Sequence, residues 1–564
     1  YIEKLLKLLN SKKNELSEIR NQARVEIINK YKSEKERKIF LIEAPTGIGK
    51  TFTALHLALE IAKDKSKKRI INALPMTSII DQTFEEYSKI IDGCELLKYH
   101  HLTKSKNYSD DDKELNEEQE QTQDEKRLRQ QNEYLSSSWA LDKVIVTTFN
   151  QIFNMFFSNK NKDLVKFWTL RDSVINMDEI QAIPRVLLKD VSIIINYLAK
   201  EFNIDFILMS ATIPAIKNFL DVELSLELLD NRYYALDFNN RYSLALNESI
   251  NNSDILAEKI LEQSEKVNSV LCIVNTKKLS LELFEKLENS FKQDELFLLN
   301  TNFIPNHRKS ILDRVKKRLE NSNKGESKKT ILIATQVIEA GVDLDFDIGY
   351  REFAPLSSII QSAGRVNREN REEIRKTAKL IVTDKIGNNP YHTKDISYEE
   401  VKQLLNNEIR ENKILPFLKD YFKIVIDKTR SDPILEDKIK KLEFQDVFDV
   451  YNKNFMEKIP FQIPLFIEYE EGLYENFNSR FENLFSNLSE SKSLEEKMDI
   501  KSKLKELNKG VSQYVINVKI EDGMQFDNFY TDSEMKWCPY QYVQDGSKYS
   551  ERKGWINRDC FAAF

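Results

Sequence analysis

Cysteine and long apolar runs are both scarce in this sequence. The four cysteines among 564 residues lie far apart, at Cys94, Cys272, Cys538 and Cys560. Because no two of them have the CxxC spacing of a zinc-ligand pair, we expect no zinc site and a reducing, cytoplasmic compartment. No run of about 18 apolar residues occurs, so we expect no transmembrane helix and no membrane partner. No signal-peptide pattern is present either.

Glycine and proline are also few, with 13 and 12 residues, which argues against long flexible linkers. A chain of this length is too large for one hydrophobic core and predicts three or four domains. The net charge of −6 does not by itself indicate a nucleic-acid partner, although a local basic groove is compatible with it. Because the sequence starts at Tyr1 rather than at methionine, we expect it to be part of a longer product.

The segment 38–51, KIFLIEAPTGIGKT, has the pattern of a phosphate-binding loop. An apolar run predicts a strand before the glycines, and helical spacing of apolar residues follows them. Such a loop curls backbone N–H groups around an anion, with the positive end of the helix dipole beside it. Ala44 stands where the pattern normally has its first glycine, so an ordinary glycine-rich turn is the alternative. The residues predicted to bind the nucleotide here are Thr46, Gly47, Ile48, Gly49, Lys50 and Thr51.

Short apolar runs alternate with helical segments over most of the chain. They lie at 39–42, 70–74, 143–151, 173–181 and 205–213, and then at 269–276, 296–303, 330–337, 347–353 and 379–384. The alternation predicts two successive α/β domains, each with a parallel sheet covered by helices on both faces, and a cleft between them.

We place the domain boundaries where this alternation restarts or stops. The first α/β domain is predicted at 1–240 and the second at 241–385. Residues 386–440 have the pattern of a helical connector. Residues 441–564 are rich in aromatic side chains and contain strand-like pieces, which predicts a separate accessory domain.

Asp178 and Glu179 end the predicted strand at 173–181. A carboxylate pair at a strand tip can bind Mg²⁺ through one residue, Asp178, and orient an attacking water through the other. The pair alone would also be consistent with surface charge. Its position about 130 residues after Lys50, which is predicted to reach the β- and γ-phosphates, favours the catalytic interpretation, and the Thr51 hydroxyl would complete the metal site.

The second α/β domain carries TQVIEAGVDLDFD at 335–347, followed by a segment with two arginines. Arg365 and Arg368 are three residues apart at the predicted start of a helix, hence on one face. Guanidinium groups suit phosphate oxygens, so the pair can reach the γ-phosphate when the cleft closes. Gly341 would allow close backbone approach, and Asp343 would bind ribose or relay to the γ-phosphate. An exposed basic helix start and a simple turn are the alternatives.

Three further features have two interpretations each. Gln22, about 20 residues before the glycine loop, can contact an adenine edge through its amide, or it is a solvated residue on a helix face. The pair His100-His101 lacks acidic or cysteine partners at ligand spacing, so we favour a packing or surface role over metal binding. Residues 108–133 are almost entirely polar and predict a solvated insertion without a catalytic role.

Eight segments in order resemble the motifs of superfamily 2 helicases over about 38–384. They read APTGIGKT, LPMTSIIDQT, VTTFNQ, DEIQ, SAT, VNTKK, TQVIEAGVDLDFD and QSAGRVNR. Within that superfamily, ALPMTSIIDQT, TNFIPNHR, IEAGVDLDFD and QSAGRVNR resemble the helicase part of CRISPR-associated Cas3. That family commonly has histidine in the DEx-His position, where this chain has Gln181, which can still hydrogen-bond across the cleft.

The resemblance implies two tandem RecA-like domains that bind ATP and Mg²⁺ between them. Glu179 would position water, with Lys50, Gln181, Arg365 and Arg368 as further catalytic residues. Single-stranded DNA would cross both domains, with movement in the 3′-to-5′ direction and recruitment by the Cascade surveillance complex. A metal-dependent HD nuclease usually accompanies Cas3, and we expect it upstream of this sequence or on another polypeptide, because no His-Asp dipeptide occurs here. The DNA phosphates would contact Ser78, Thr148, Asn275 and Thr335.

Two other functions share the same nucleotide residues. A general superfamily 2 helicase acting on RNA or DNA outside CRISPR would carry the same loop, carboxylates and arginines. A nucleotide-dependent scaffold without turnover is suggested by Gln181 and by Ala44. Stimulation of ATP hydrolysis by single-stranded DNA, double-stranded DNA or RNA separates these three hypotheses.

Overall fold

The structure of the chain is a computed structural model. It describes residues 1–10, 15–45, 47–75, 77–93, 95–99, 139, 142–210, 215–236, 240–323, 329–339, 342–387, 398–428, 437–438, 441, 443–455, 462–491, 493–519, 541–543 and 549–556. These residues form two compact units. The described parts of the first unit fall within residues 1–100, 135–249 and 339–457, and those of the second within 250–338 and 458–564.

The first sheet has seven strands in the order β3-β4-β2-β5-β6-β1-β7, and the pairings described are all parallel. The strands are β1 (Ile39–Glu43), β2 (Arg69–Leu74), β3 (Leu96–Tyr99), β4 (Val144–Thr148), β5 (Ser173–Met177), β6 (Asp205–Ser210) and β7 (Ser225–Glu227).

Helices cover both faces of this sheet, as predicted. They are α1 (Ile2–Asn10), α2 (Glu15–Ser33), α3 (Lys50–Asp64), α4 (Thr77–Ser88), α5 (Phe149–Phe157), α6 (Asn161–Phe167) and α7 (Leu188–Glu201). Successive side chains of a strand point to opposite faces. Accordingly, Ile39 packs into one buried cluster, whereas Phe40 and Ile42 pack into another. All the strands end at one edge, which gathers their carboxyl ends in a single region.

The second sheet also has seven strands, in the order β10-β11-β9-β12-β13-β8-β14. They are β8 (Ser243–Asn247), β9 (Ser269–Ile273), β10 (Leu296–Leu299), β11 (Thr330–Ala334), β12 (Ile348–Arg351), β13 (Lys379–Thr383) and β14 (Ile409–Arg410). Strand β14 is antiparallel to β8, so this sheet is mostly rather than entirely parallel.

The helices that follow in the sequence are 7 to 19 residues long. They are α8 (Ser253–Ser264), α9 (Lys277–Leu287), α10 (Pro305–Asn323), α11 (Leu356–Ala363), α12 (Tyr398–Leu404), α13 (Ile414–Lys428) and α14 (Phe444–Phe455). The side chain of Asn252 accepts a hydrogen bond from Ile255 N at 2.9 Å and caps α8. The predicted helical connector is interrupted, because Ile409 pairs with Leu244 and inserts β14 between α12 and α13.

The rest of the second unit contains β15 (Gln462–Ile467), α15 (Leu473–Glu490), α16 (Leu494–Val511), β16 (Val515–Lys519), β17 (Gln541–Val543), β18 (Tyr549–Ser550) and β19 (Gly554–Trp555). Strands β15 and β16 are antiparallel, and β15 and β17 are parallel. Two segments predicted to be strand-like, PFQIPLFIEY and SQYVINVKI, contain β15 and β16. The predicted domain boundaries at 240, 385 and 440 stay predictions.

The hairpin of β18 and β19 packs on the loop before α10. Trp555 N donates to the carbonyl of Asn302 at 2.9 Å, and the Tyr549 hydroxyl accepts from Ile304 N at 3.1 Å. His307 Nδ1 lies 2.8 Å from the same hydroxyl. Ile304, Tyr549 and Trp555 share a buried apolar cluster with β15 and β16. The accessory strands are therefore joined to the TNFIPNHR segment by both polar and apolar contacts.

Candidate nucleotide site

The glycine loop follows β1 and leads directly into α3. Gly47 and Gly49 have φ values of +90° and +85°, which residues with a Cβ rarely adopt. Lys50 Nζ donates to the carbonyl of Ala44 at 3.2 Å, so the lysine folds back over the loop. Ala44 itself is fully buried in the core, which accommodates its departure from glycine. Thr46 lies outside the described residues.

The loop has the backbone shape of an anion site. Two glycines with positive φ precede the first turn of α3, where Thr51 lies, and the unpaired N–H groups of a helix start favour phosphate. Ile48 is buried beneath the loop. The predicted strand, glycine loop and helix start are therefore observed at the carboxyl end of β1, and the binding of phosphate by these residues stays a prediction.

The two carboxylates lie one strand position beyond β5. Asp178 N donates to the carbonyl of Ala73 at 3.1 Å, and the Asp178 carboxylate accepts from Glu179 N at 2.8 Å. Glu179 has φ 56° and ψ 46°, a left-handed conformation that a non-glycine residue adopts at a local cost in energy. Burial raises the pKa of Asp178, and the nearby charge of Glu179 raises it further, whereas Lys50 lowers it. This concentrated negative charge favours a cation.

Gln181 links the carboxylates to β6. Its Nε2 donates to the Glu179 carboxylate, and its Oε1 accepts from the hydroxyl of Ser210 at 2.6 Å. The glutamine thus bonds residues of the first sheet in this structure, rather than spanning a cleft. Its contacts orient Glu179 and connect it to the strand that ends in Ser210.

The two arginines follow a helix instead of starting one, which corrects the prediction. Helix α11 ends at Ala363, and Gly364 N donates to the carbonyl of Ile360 at 3.0 Å. Val366 then pairs with Phe346 in an isolated parallel bridge. Arg365 and Arg368 therefore lie in the turn after α11, on either side of the extended residue Val366.

Arg365 is buried, with 8% of its surface exposed. Its Nη2 donates to the carbonyl of Glu339 at 2.9 Å. Burial and then the positive charge of Arg368 lower the pKa of Arg365, whereas Asp343 and Glu179 act in the opposite direction. Because arginine stays protonated at neutral pH, its guanidinium is a buried positive charge within electrostatic range of Glu179.

Arg368 forms an ion pair with Asp343 through Nε. Its backbone N donates to Asp345 at 2.6 Å, which fixes the turn. Asp343 is therefore paired with an arginine in this structure, and its predicted contact with ribose or γ-phosphate stays a prediction. Gly341 lies outside the described residues.

Arg20, which the sequence analysis did not single out, contacts the glycine loop. Its Nε donates to the carbonyl of Gly47 at 2.8 Å. Desolvation lowers the pKa of Arg20, and the charges of Arg368 and Arg241 act in the same direction. Gln22 lies two residues further along α2 and is exposed. Its predicted adenine contact stays a prediction.

These groups converge within the first unit. The loop and carboxylates come from the first sheet, and Arg365 and Arg368 come from the strands and turns of the second. Arg20 connects the two sets, since it bonds the loop and lies near Arg368. Such a cluster of cations around a glycine loop favours a polyanionic ligand.

The residues predicted to contact DNA are less accessible. Thr148 is 6% exposed, and its hydroxyl accepts from Gln151 N at 3.3 Å to cap α5. Asn275 and Thr335 are also buried, and the Asn275 carbonyl accepts from Gln336 Nε2 at 3.2 Å. Nothing is described of the Ser78 side chain. Their role in binding DNA stays a prediction.

The predicted magnesium ligands fit the preferences of that ion. Mg²⁺ binds through one or two protein oxygens together with water and substrate phosphates. The Asp178 carboxylate and the Thr51 hydroxyl supply such hard oxygen donors. Burial raises the pKa of Asp178, and the neighbouring charge of Glu179, which a divalent cation would offset, raises it further. Within the described part of the chain, no group of three or more His, Cys, Asp and Glu residues lies together as a metal cluster.

Two family models match the chain. Residues 21–219 match the DEAD/DEAH box helicase family, and residues 266–371 match the C-terminal region of the CRISPR-associated nuclease/helicase Cas3. Both matches coincide with the segments that carry the loop, the carboxylates and the two arginines.

Similar proteins agree with these matches. A Methanocaldococcus jannaschii protein described as a Cas3 nuclease/helicase is 25% identical over 503 residues, covering 78% of this chain and 66% of its own length. The Haloferax volcanii CRISPR-associated nuclease/helicase Cas3 is 25% identical over 429 residues, covering 58% of this chain and 44% of its own length. The solved structure of T. fusca Cas3 with ATP has a TM-score of 0.64 at 16% identity, covering 94% of this chain and 67% of that one.

The two seven-stranded sheets have the architecture of tandem RecA-like domains, and strands β1 to β6 of the first sheet lie within the segment that matches the DEAD/DEAH box helicase family. Within that class, the match at residues 266–371 and the curated relatives are to Cas3 proteins, so the resemblance noted in the sequence is confirmed as a similarity to that family. The chain spans about two thirds of the length of the Methanocaldococcus relative and less than half of the Haloferax one. In the described part of the chain, no helix combines the length and apolarity needed to cross a bilayer.

Proposed function

We propose that the chain is an ATP-hydrolysing motor that moves single-stranded DNA in a CRISPR interference system. The observation that carries this proposal is the convergence of Arg365 and Arg368 with the loop and carboxylates of the other sheet. Arg20 reports their proximity, because it donates to Gly47 and lies near Arg368. A motor needs this arrangement, since hydrolysis can change the spacing of two domains only if both contact the nucleotide.

Each residue then has a defined task. The phosphates of ATP lie on residues 46–51, with Lys50 at the β- and γ-phosphates. Glu179 orients the attacking water, and Arg365 and Arg368 offset charge on the transferring phosphoryl group. Thr51 and Asp178 would hold Mg²⁺, which would supply positive charge to offset that of the phosphates. Gln22 contacts the adenine edge, Asp343 binds ribose or relays to the γ-phosphate, and Gly341 allows the backbone to approach the nucleotide closely.

The DNA track follows from the same helicase motifs. The strand would cross both RecA-like domains, with its phosphates on Ser78 and Thr148 in the first unit and on Asn275 and Thr335 in the second. Because Thr148, Asn275 and Thr335 are buried in the described structure, engagement requires local rearrangement at these strand ends. Movement in the 3′-to-5′ direction is proposed by analogy with the family.

The partners are proposed on the same basis. The chain resembles a solved structure described as a CRISPR RNA-guided surveillance complex, pre-nicking, with a TM-score of 0.59 at 15% identity over 92% of this chain. We propose recruitment by a Cascade complex in the cytoplasm and delivery of DNA to an HD nuclease upstream or on a separate chain. The domain limits 1–240, 241–385, 386–440 and 441–564 belong to this proposal.

The test measures ATP hydrolysis with single-stranded DNA, double-stranded DNA and RNA in turn. Single-stranded DNA should stimulate most, and Lys50→Ala should abolish the stimulated rate. Lys63→Ala, an exposed position on the same helix, is the matched control and should retain the wild-type rate. Stronger stimulation by RNA would favour a general helicase, and nucleotide binding without turnover would favour a scaffold; either result rejects the proposal.

A further inference from the structure

Arg241 and Glu411 form a buried ion pair beside the glycine loop. They are 170 residues apart in sequence, with 3% and 5% of their surfaces exposed. Neither belongs to the motifs that define the nucleotide site. Arg241 immediately precedes Tyr242 and strand β8, and Glu411 follows strand β14. The pair therefore joins the segment just before β8 to the segment just after β14, which is the neighbouring strand of the second sheet.

Every part of Arg241 is held in place. Its Nε donates to both Glu411 carboxylate oxygens, at 3.1 and 3.0 Å, and its Nη2 forms an ion pair with the same group. Its backbone N donates to Glu411 Oε2 at 3.1 Å. Its carbonyl accepts from Nδ2 of Asn367 at 2.9 Å. Asn367 lies between Arg365 and Arg368 in the sequence. Such bidentate contacts fix the orientation of the guanidinium.

The remaining guanidinium nitrogen faces the loop. A Cβ placed on Gly47 would lie 3.5 Å from Arg241 Nη1. Arg20 donates to the carbonyl of this same glycine. After burial and the charge of Arg368, the positive charge of Arg241 also lowers the pKa of Arg20. The backbone predicted to curl around phosphate thus has two additional guanidinium groups beside it.

Stability alone does not account well for this placement. A buried ion pair contributes little net stability relative to apolar packing, because desolvation offsets most of the attraction. A fixed positive charge beside a phosphate loop, by contrast, is useful when a polyanion binds, since no reorganisation is needed at that moment. We propose that Arg241, held by Glu411, supplies a fixed positive charge beside the glycine loop that favours binding of a polyphosphate. This inference rests on the proposed nucleotide site.

The test compares binding of ATP and AMP to the full chain. Arg241→Gln removes the charge and should weaken ATP binding about tenfold to a hundredfold, the range for a hydrogen bond with a charged partner. Binding of AMP, which lacks the β- and γ-phosphates, should weaken by less than about threefold. Arg241→Lys should restore part of the ATP affinity, and Glu411→Gln should give an intermediate loss because the guanidinium is no longer anchored.

Lys65→Gln is the matched structural control. Lys65 and Asp205 form an ion pair at the start of β6, at the edge of the sheet opposite the loop. Breaking it should lower the thermal unfolding midpoint but leave the ratio of ATP to AMP affinity unchanged. A merely structural role for Arg241 would produce this same pattern and would overturn the inference.

The possible results separate the two proposals. If the wild-type chain does not bind ATP, the proposed function fails. If the wild type binds ATP and Arg241→Gln binds ATP and AMP as the wild type does, only the inference about Arg241 fails. Should Arg241→Gln not fold, Glu411→Gln supports the same comparison, because its side chain keeps nearly the original shape. An unchanged nucleotide ratio in that folded variant would likewise reject the inference.

Discussion

Gln181 should control the chemical step rather than nucleotide binding. Replacing it with alanine removes two hydrogen bonds, one donated to the Glu179 carboxylate and one accepted from the Ser210 hydroxyl. Only the first orients the residue proposed to position water. A hydrogen bond to a charged group contributes about 1.5 to 3 kcal/mol, which corresponds to about a 10- to 150-fold reduction in kcat. KM should change little, because Gln181 makes no contact with the glycine loop in the described structure.

The assay is steady-state ATP hydrolysis at saturating single-stranded DNA, with kcat and KM determined separately. Ser210→Ala removes the neutral bond to Gln181, worth about 0.5 to 1.5 kcal/mol, and should reduce kcat by no more than about tenfold. Gln181→His, which introduces the residue common in the family, should retain most of the rate. A double variant should lose less than the sum of the single losses, because both act through one network.

The result that would refute this reasoning is specific. If Gln181→Ala hydrolyses ATP at the wild-type kcat, while Lys50→Ala is inactive in the same assay, the hydrogen bond to Glu179 does not matter for catalysis. An increase in KM at constant kcat would also contradict the reasoning, since it would assign Gln181 to nucleotide binding.

Two further predictions concern stability. Burial lowers the pKa of His56 from its ordinary value to about 4, so the unfolded chain takes up a proton first as pH falls. As pH falls from the unfolded to the folded pKa value, the contribution of His56 to the free energy of unfolding should therefore decrease by about 3 kcal/mol. Thermal unfolding across that pH range should show the wild type losing stability relative to His56→Gln. Gly554 has φ +68°, and a Cβ there would lie 2.9 Å from the Asn302 carbonyl, so Gly554→Ala should release the β18–β19 hairpin and accelerate its hydrogen exchange. Gly472→Ala, with φ +79° but open space around its Cβ, should cost only about 1 kcal/mol of backbone strain; equal effects at both glycines would count against the close approach.

The strand pattern was predictable because buried parallel strands are nearly continuous apolar runs. Each of the ten predicted runs contains or overlaps an observed strand, and most strands end within a few residues of the predicted limit. Of the strands in the two large sheets, β3, β7, β8 and β14 were not predicted. Three of them, β3, β7 and β14, have only four, three and two residues. At that length the apolar periodicity is too brief to separate a strand from a turn.

The geometry of the site was predictable where its residues lie close together in the sequence. Gly47, Gly49 and Lys50 are close in sequence, so their geometry follows from one short segment. Arg20 and Arg241 could not be found this way, because the fold alone brings them to Gly47. The helix predicted to start at Arg365 was also wrong, because the pairing of Val366 with Phe346 is a tertiary contact that outweighs the local pattern.

The packing of the β18–β19 hairpin has a consequence for synthesis of the chain. Tyr549 emerges from the ribosome 242 residues after His307, whose ring it contacts. Ile304 is fully buried in the complete fold. Its apolar surroundings are complete only after this late segment has been synthesised. A nascent or truncated polypeptide ending before Tyr549 would therefore leave this surface open to solvent, where it would favour aggregation and chaperone binding. Removing the segment from Tyr549 onward should therefore yield a protein that aggregates.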